Sequence, residues 1–475
     1  MGDAPSADRK SRMTTPDLAH VATWTIAAVA VAGVILRPWR VPEAVWAVLG
    51  ALALVATGLL PWHDAALAVG KGLDVYLFLT GMMLLSELAR REGLFDFLAA
   101  NAVRRSRGSA SRLFLLAYAI GTLVTVFMSN DATAVVLTPA VFAAAKQAGA
   151  KPLPYLFACA FIANAASFVL PISNPANLVI FGAHMPPLVQ WLAQFALPSL
   201  LAIVATFAMH RFLHRNSLID PIDTDIAVPT LSHAGATTGY GIIAVAVALL
   251  IASWRGLPLG WPALLVTALV AASVWIGKRE APWATLKGVS WAVLALVGGL
   301  FVLVQGLIHT GVVQMLSDWL HHATTISATG TAWGAGTGIA LACNLINNLP
   351  MGLIAGSIVT TAQPDPLIQG AITIGIDLGP NLSVTGSLAT ILWLTAIRRE
   401  GEDVSAWQFL RLGMLVMPVA LLLALAGLFV PMHRRMSASL PAHAPVVTPI
   451  NAGGIPGRRQ FARELWAVQR DVRNS

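Results

Sequence analysis

A chain of 475 residues that is 57% hydrophobic and only 11% charged holds too little charge for an ordinary soluble domain, in which about a quarter of residues are charged. Its formal charge of +8 reads as basic short loops kept on the cytoplasmic side of a membrane, not as a nucleic-acid footprint. Cys159 and Cys343 are the only cysteines and both lie inside apolar runs, which excludes a disulfide framework and a Cys-rich metal site. No cofactor is called for.

Along the chain, Met1 to His20 is polar and the first apolar run lacks a clear small-residue cleavage site, so no cleavable signal peptide is expected and that run stays as a helix. Apolar runs of spanning length predict helices at about 19–36, 43–61, 73–89, 155–171, 196–213, 237–254, 258–277, 289–307, 366–378 with a continuation at 384–397, and 407–431. Two further stretches differ: 113–146 is broken by Ser129-Asn130-Asp131, and 328–362 by Asn347-Asn348-Leu349-Pro350. Polar groups this deep are tolerated where non-helical backbone is buried in protein or lines a watery cavity. Each stretch is therefore expected to be a re-entrant hairpin with its polar tip near mid-membrane.

The expected fold is an all-α polytopic membrane protein of about ten transmembrane helices and two re-entrant hairpins, in two inverted-topology repeats with broken helices at the site. Residues 1–18 form a polar tail, 19–214 the first repeat, 215–236 a cytoplasmic linker and 237–432 the second repeat. The basic stretch 433–475, rich in Pro, Gly and Ala, reads as disordered. A shift of 218 residues places Gly81 on Gly299, Glu87 on Gln305, Gly93 on Gly311 and Asn130 on Asn348 without a gap. Beyond the hairpins the offset shrinks, and Asn177-Leu178 falls on Asn381-Leu382. Paired interrupted helices in two halves point to a secondary-transporter site at the repeat interface. Segment 90–112 holds Arg90, Arg91, Arg104, Arg105, Arg107 and Arg112, whereas its counterpart 308–330 holds no Lys or Arg. The two are expected on opposite sides. This assignment leaves Lys71 and Arg255 outside among the short loops, and both termini outside.

Two clusters carry the chemistry: Ser129, Asn130 and Asp131 with Asn174, Pro175 and Asn177, and Asn347 and Asn348 with Asp377, Gly379, Pro380, Asn381, Ser383 and Thr385. Converging amides and hydroxyls suit a small neutral polyhydroxy solute or a weakly held cation. The absence of a nearby Lys or Arg argues against a permanently anionic substrate. Asp131 and Asp377, the carboxyls embedded deepest, are candidate proton carriers. Taken singly, each Asn is as well explained by helix capping or interhelical bonding. Their matching positions favour a shared site.

The strings FMSNDATAVVLTPAVFAAA, PISNPANLVIFG, NNLPMGLIAG and GIDLGPNLSVTGSLATILWL resemble the ArsB-type arsenite and antimonite efflux carriers of the ion transporter superfamily, over about residues 20 to 432. The resemblance implies export of trivalent arsenic and antimony as neutral hydroxides across the inner (plasma) membrane, driven by proton influx or through a soluble ATPase partner. It places the substrate and coupling region at Asn130, Asp131, Asn174, Asn177, Asn347, Asn348, Asp377 and Asn381. Superfamily members that take up carboxylates commonly carry Ser-Asn-Thr at both hairpin tips. Ser-Asn-Asp and Asn-Asn-Leu stand here instead, which weakens a sodium-dicarboxylate reading. The nearest rival is a sodium/proton antiporter on the same scaffold. A channel is suggested only by Asn174-Pro175-Ala176, the aquaporin tripeptide, whose counterpart is Gly-Pro-Asn. An enzyme is least favoured, since the chain has no HExxH, no GxSxG and no phosphate-binding Gly-rich loop.

Overall fold

The computed structural model describes residues 18–182 and 185–439, with side chains left aside at 40 and 431–439. The expectations for the polar N-terminal tail and for the basic stretch after 439 lie outside the described residues. Among those described, secondary structure is helical throughout. In the first half, α1 (Leu18–Leu36), α2 (Glu43–Ala56), α3 (Trp62–Lys71) and α4 (Leu73–Arg91) lead to the amphipathic α5 (Leu94–Ser106) and to α6 (Ala110–Phe127). After the polar tip, a π-helical stretch Ala132–Leu137 runs into α7 (Thr138–Gln147), then α8 (Leu153–Ala165), the short α9 (Pro175–Phe181) and α10 (Leu188–Leu213). The second half follows with α11 (His233–Trp254), α12 (Gly260–Lys278), α13 (Trp283–Gly288), α14 (Ala292–His309), α15 (Val312–Ile326), α16 (Ala328–Ile346), α17 (Asn348–Ala362), α18 (Pro366–Leu378), α19 (Leu388–Arg399) and α20 (Ala406–Ser439).

Seven helices are long and apolar enough to cross a membrane, or eight if α3 and α4, which meet at 48°, make one bent span. The expected helix 155–171 stops at Ala165, because Ala166 to Asn174 leave the helix before Pro175 starts the next. Pro suits the first turn of a helix, where its missing N–H is not needed. The counterpart break runs from Gly379 to Ser387 with the same length. In this register Asn174 and Ser387 occupy equivalent places, each capping the helix that follows. Asn177 then matches Thr390, and Asn164 matches Asp377. The expected alignment of Asn177 with Asn381 was therefore out of register; shared Asn-Leu dipeptides outweighed the equal lengths of the two breaks.

Packing follows the same ten-by-ten order. Helix α4 crosses α12, and α14 crosses α2. A methyl group added at Gly81 would lie 2.7 Å from the Ala263 backbone, and one at Gly299 would lie 2.7 Å from the Ala47 backbone. With no hydrophobic drive between helices in lipid, close backbone approach of this kind is what supplies packing energy. Gly93 and Gly311, at φ 71° and 78°, turn the chain into α5 and α15, a conformation nearly free of cost only for glycine. The aligned residues thus have matching physical duties. Between the halves, the 215–236 segment is tied down: Ile222 N–H donates to Gly108 O at 3.0 Å, Asp223 N–H to Ala148 O at 2.9 Å, and Lys151 pairs with Asp220 at 2.9 Å.

Candidate functional site

Four chain breaks meet in the interior. At the first polar tip, Ser129 Oγ accepts from Ala132 N–H at 3.3 Å and Asn130 Oδ1 from Asp131 N–H at 2.9 Å, closing the turn after α6. At the second, Asn347 adopts φ 73°, a region costing a non-glycine residue about 1–3 kcal/mol. Its side chain offsets this by accepting from Leu349 N–H at 3.3 Å and donating to Thr385 O at 3.1 Å, which ties the tip to the unwound stretch after α18. That stretch is clamped to α16 as well. Thr385 Oγ1 donates to Asn344 O at 3.0 Å, Ser383 Oγ to Asn344 Oδ1 at 2.7 Å, and Asn344 Nδ2 to Gly379 O at 3.0 Å.

Where the tips and broken helices converge, a cavity of about 30 Å³ is lined by Asn130, Asp131, Asn174 and Asn348, with Leu79, Val293 and Val297 of α4 and α14 forming an apolar wall. Asn130, Asn174 and Asn348 are buried and Asp131 is half-buried. No Lys, Arg or His contributes to this lining among the described residues. A larger cavity of about 660 Å³ lies towards the Lys71 end of α4, bounded by Asp74, Gln305 and the far ends of α9 and α17. Lys71 Nζ donates to Gln305 Oε1 there at 3.3 Å.

Of the residues expected in the site, Asn130, Asp131, Asn174 and Asn348 share this lining. Ser129, Asn177, Asn347, Asn381, Thr385 and Asp377 stand behind it. Asn177 Nδ2 donates to Ser167 O and Asn381 Nδ2 to Phe161 O, each at 3.0 Å. Asn174 Nδ2 donates to Asp377 Oδ1 at 2.5 Å while its own Oδ1 caps Ala176 N–H. Asn164 Nδ2 reaches Asn381 Oδ1 at 3.0 Å and Thr390 Oγ1 at 3.5 Å. The equivalent positions Asn164 and Asp377 therefore each bond to the broken helix of the opposite half.

Sequence reasoning missed Asn164 and Asn344. The first was signalled by its place opposite Asp377, at the offset fixed by the two breaks; the second was hidden within an otherwise ordinary helix. The cysteines hold no such position: Cys159 is buried on α8, and Cys343 Sγ approaches Ile376 O at 3.9 Å. Among the described residues no three His, Cys, Asp or Glu side chains are grouped to hold a metal ion.

Comparison with known proteins agrees with this architecture. The arsenical pump membrane protein of Escherichia coli is 25% identical over 398 residues, covering 80% of this chain and 92% of that protein. The putative arsenical pump membrane protein of Bacillus subtilis (strain 168) is 23% identical over 421 residues, covering 83% and 95%. Among solved structures, the YdaH transporter of Alcanivorax borkumensis matches with a TM-score of 0.52 at 17% identity, over 79% of this chain and 88% of that one; the likeness is one of fold. Residues 29–382 match the family model described as citrate transporter, and with that match running through both polar tips and into the second break, the chain belongs to the CitMHS family of membrane transporters.

Proposed function

We propose that this protein exports trivalent arsenic and antimony as neutral hydroxides across the inner membrane, in exchange for protons. The observation that carries the reading is the cavity at the meeting of both tips and both broken helices, lined by three asparagines and one aspartate without a cation. Asn side chains offer donors and an acceptor to the hydroxyls of a neutral solute, each bond contributing about 0.5–1.5 kcal/mol net. Weak contacts permit release at every turnover. The arsenical pump relatives give the metalloid its place in the proposal. Direct export by proton exchange and export assisted by a soluble ATPase would use the same site.

Alternating access is proposed to be elevator-like: the two hairpins and broken helices move as one body against α4, α14 and their crossing partners, in two inverted repeats. In the state described, the 30 Å³ cavity has room for about two waters, so the solute enters only when the tips part from the apolar wall. The 660 Å³ vestibule at the Lys71 end is read as the outward mouth, because the arginines of segment 90–112 belong at the opposite, cytoplasmic end.

The family description favours a second reading, a carboxylate carrier. A polyanion would enter a cavity with no Lys, Arg or His among its described lining residues, at a high desolvation cost. Uptake assays in reconstituted vesicles separate the two: arsenite moves and citrate neither moves nor competes. Citrate transport without arsenite transport would overturn the proposal. Sodium-driven proton flux indifferent to metalloid would favour the antiporter.

A further inference from the structure

The Asp377 carboxyl has one oxygen bonded and one without any donor. Asn174 Nδ2 serves Oδ1, whereas Oδ2 is buried and unpartnered. Asn177 stands one turn beyond Asn174 on the same side of α9, which packs against α18, and its Nδ2 is committed to Ser167 O. Its Oδ1, also buried and unpartnered, is an acceptor. Two buried acceptors are thus left without a donor, and the Asn174 amide is committed at both ends, its Nδ2 to Asp377 Oδ1 and its Oδ1 to Ala176 N–H.

No countercharge is at hand. Helices α10 and α20 meet α18 at Gly370, two turns from Asp377, through Gln194 and Leu428, with His210 and Arg211 more than four turns beyond Gln194 and Arg411 exposed; α8, α9, α16 and α17, packed along α18, carry no Lys, Arg or His. Their titratable groups are Tyr155, whose hydroxyl is committed to Ala110 O, and the buried thiols of Cys159 and Cys343. An ionised carboxylate here would be buried, uncompensated and half-bonded, a state that a buried group in proteins ordinarily avoids by taking up a proton. We propose that Asp377 is a carboxylic acid in this state, donating its Oδ2–H to Asn177 Oδ1, and that this proton holds the start of α9 so that Asn174 faces the solute cavity. Asp377 thus acts as a positioning residue through Asn174 and Asn177. On release, the Oδ2–H bond breaks and the proton passes to a water admitted from the vestibule. The resulting carboxylate then repels Asn177 Oδ1, and the N-terminus of α9 shifts, taking Asn174 with it.

The inference deepens the proton-exchange reading and rests on it for its role in transport, but its first test needs no solute. In nanodiscs at neutral pH, the infrared difference between wild type and Asp377→Asn should contain the C=O stretch of a carboxylic acid, sensitive to exchange into D₂O. Asn177→Ser should shift that band because the acceptor changes. Isotope-labelled aspartate in the wild-type protein gives the same reading should a variant fail to fold. Carboxylate bands in place of the acid, or an acid band indifferent to position 177, would overturn the inference. In arsenite-loaded vesicles, Asp377→Asn should flatten the pH profile of export, whereas Asn174→Ala should raise the apparent KM by about tenfold. A pH profile unchanged in Asp377→Asn would also overturn it. If wild type carries no arsenite at all, the proposed substrate fails and the infrared result still stands or falls alone.

Discussion

At the scale of single residues, the amides divide into those lining the cavity and those holding the lining in place. Asn130→Ala removes a cavity amide and the acceptor of Asp131 N–H, and should lower arsenite export by about 5- to 150-fold, corresponding to about 1–3 kcal/mol for a stranded buried partner. Radiotracer efflux from vesicles measures this directly. Asn381→Ala should have a comparable effect by another route, because it removes the acceptor at 3.0 Å from Asn164 Nδ2 and the donor to Phe161 O, untying the second break from α8. The cysteines give the opposite expectation. Cys159 and Cys343 sit in different halves and neither lines the cavity, so Cys159→Ala with Cys343→Ala should leave export within about twofold, the packing loss at two small buried thiols being modest. Export abolished by the double change and indifferent to the asparagines would show that sulfur ligation carries recognition.

At the scale of elements, the second tip holds strain that the first does not. Asn347→Gly removes the φ cost, worth about 1–3 kcal/mol, but also the bonds to Leu349 N–H and Thr385 O. The net effect should be a tip that is no less stable yet less tightly tied, with hydrogen exchange rising in 383–386 more than in α17; protection unchanged at 383–386 would contradict the assigned role. The close crossings make a different demand. Gly81→Val and Gly299→Val should each lower the thermal midpoint of the detergent-solubilised protein, since a side chain meets partner backbone at both places and overpacking costs about 1–3 kcal/mol or more. Much of this scale was legible from the sequence: the polar interruptions of 113–146 and 328–362 and the shared glycines each have a physical duty that fixes the residue type. The register beyond the tips was not legible, because unwound segments tolerate many residues, and what they conserve physically is length. Asn164 and Asn344 escaped for a related reason, as a single Asn within an apolar helix looks the same whether it caps, packs or crosses to the other half.

For the whole molecule, the elements succeed one another ten by ten, with α4 on α12 and α14 on α2, and the proposed motion takes these crossed helices as the scaffold against which the tips and broken helices move. If these two bodies slide past each other, cysteine pairs engineered between the apolar wall and the tips, such as Val297→Cys with Leu349→Cys in a background lacking Cys159 and Cys343, should halt export when cross-linked and restore it on reduction. Export persisting through the cross-link would rule out relative motion at that boundary. The central claim is that a neutral metalloid hydroxide crosses in exchange for protons. It is tested most directly by arsenite flux in vesicles reconstituted with the purified protein, with and without an imposed pH gradient. The account predicts flux that accelerates when protons run opposite to the solute and metalloid-dependent proton movement in return; arsenite flux that runs only down its own gradient, irrespective of pH, would contradict it.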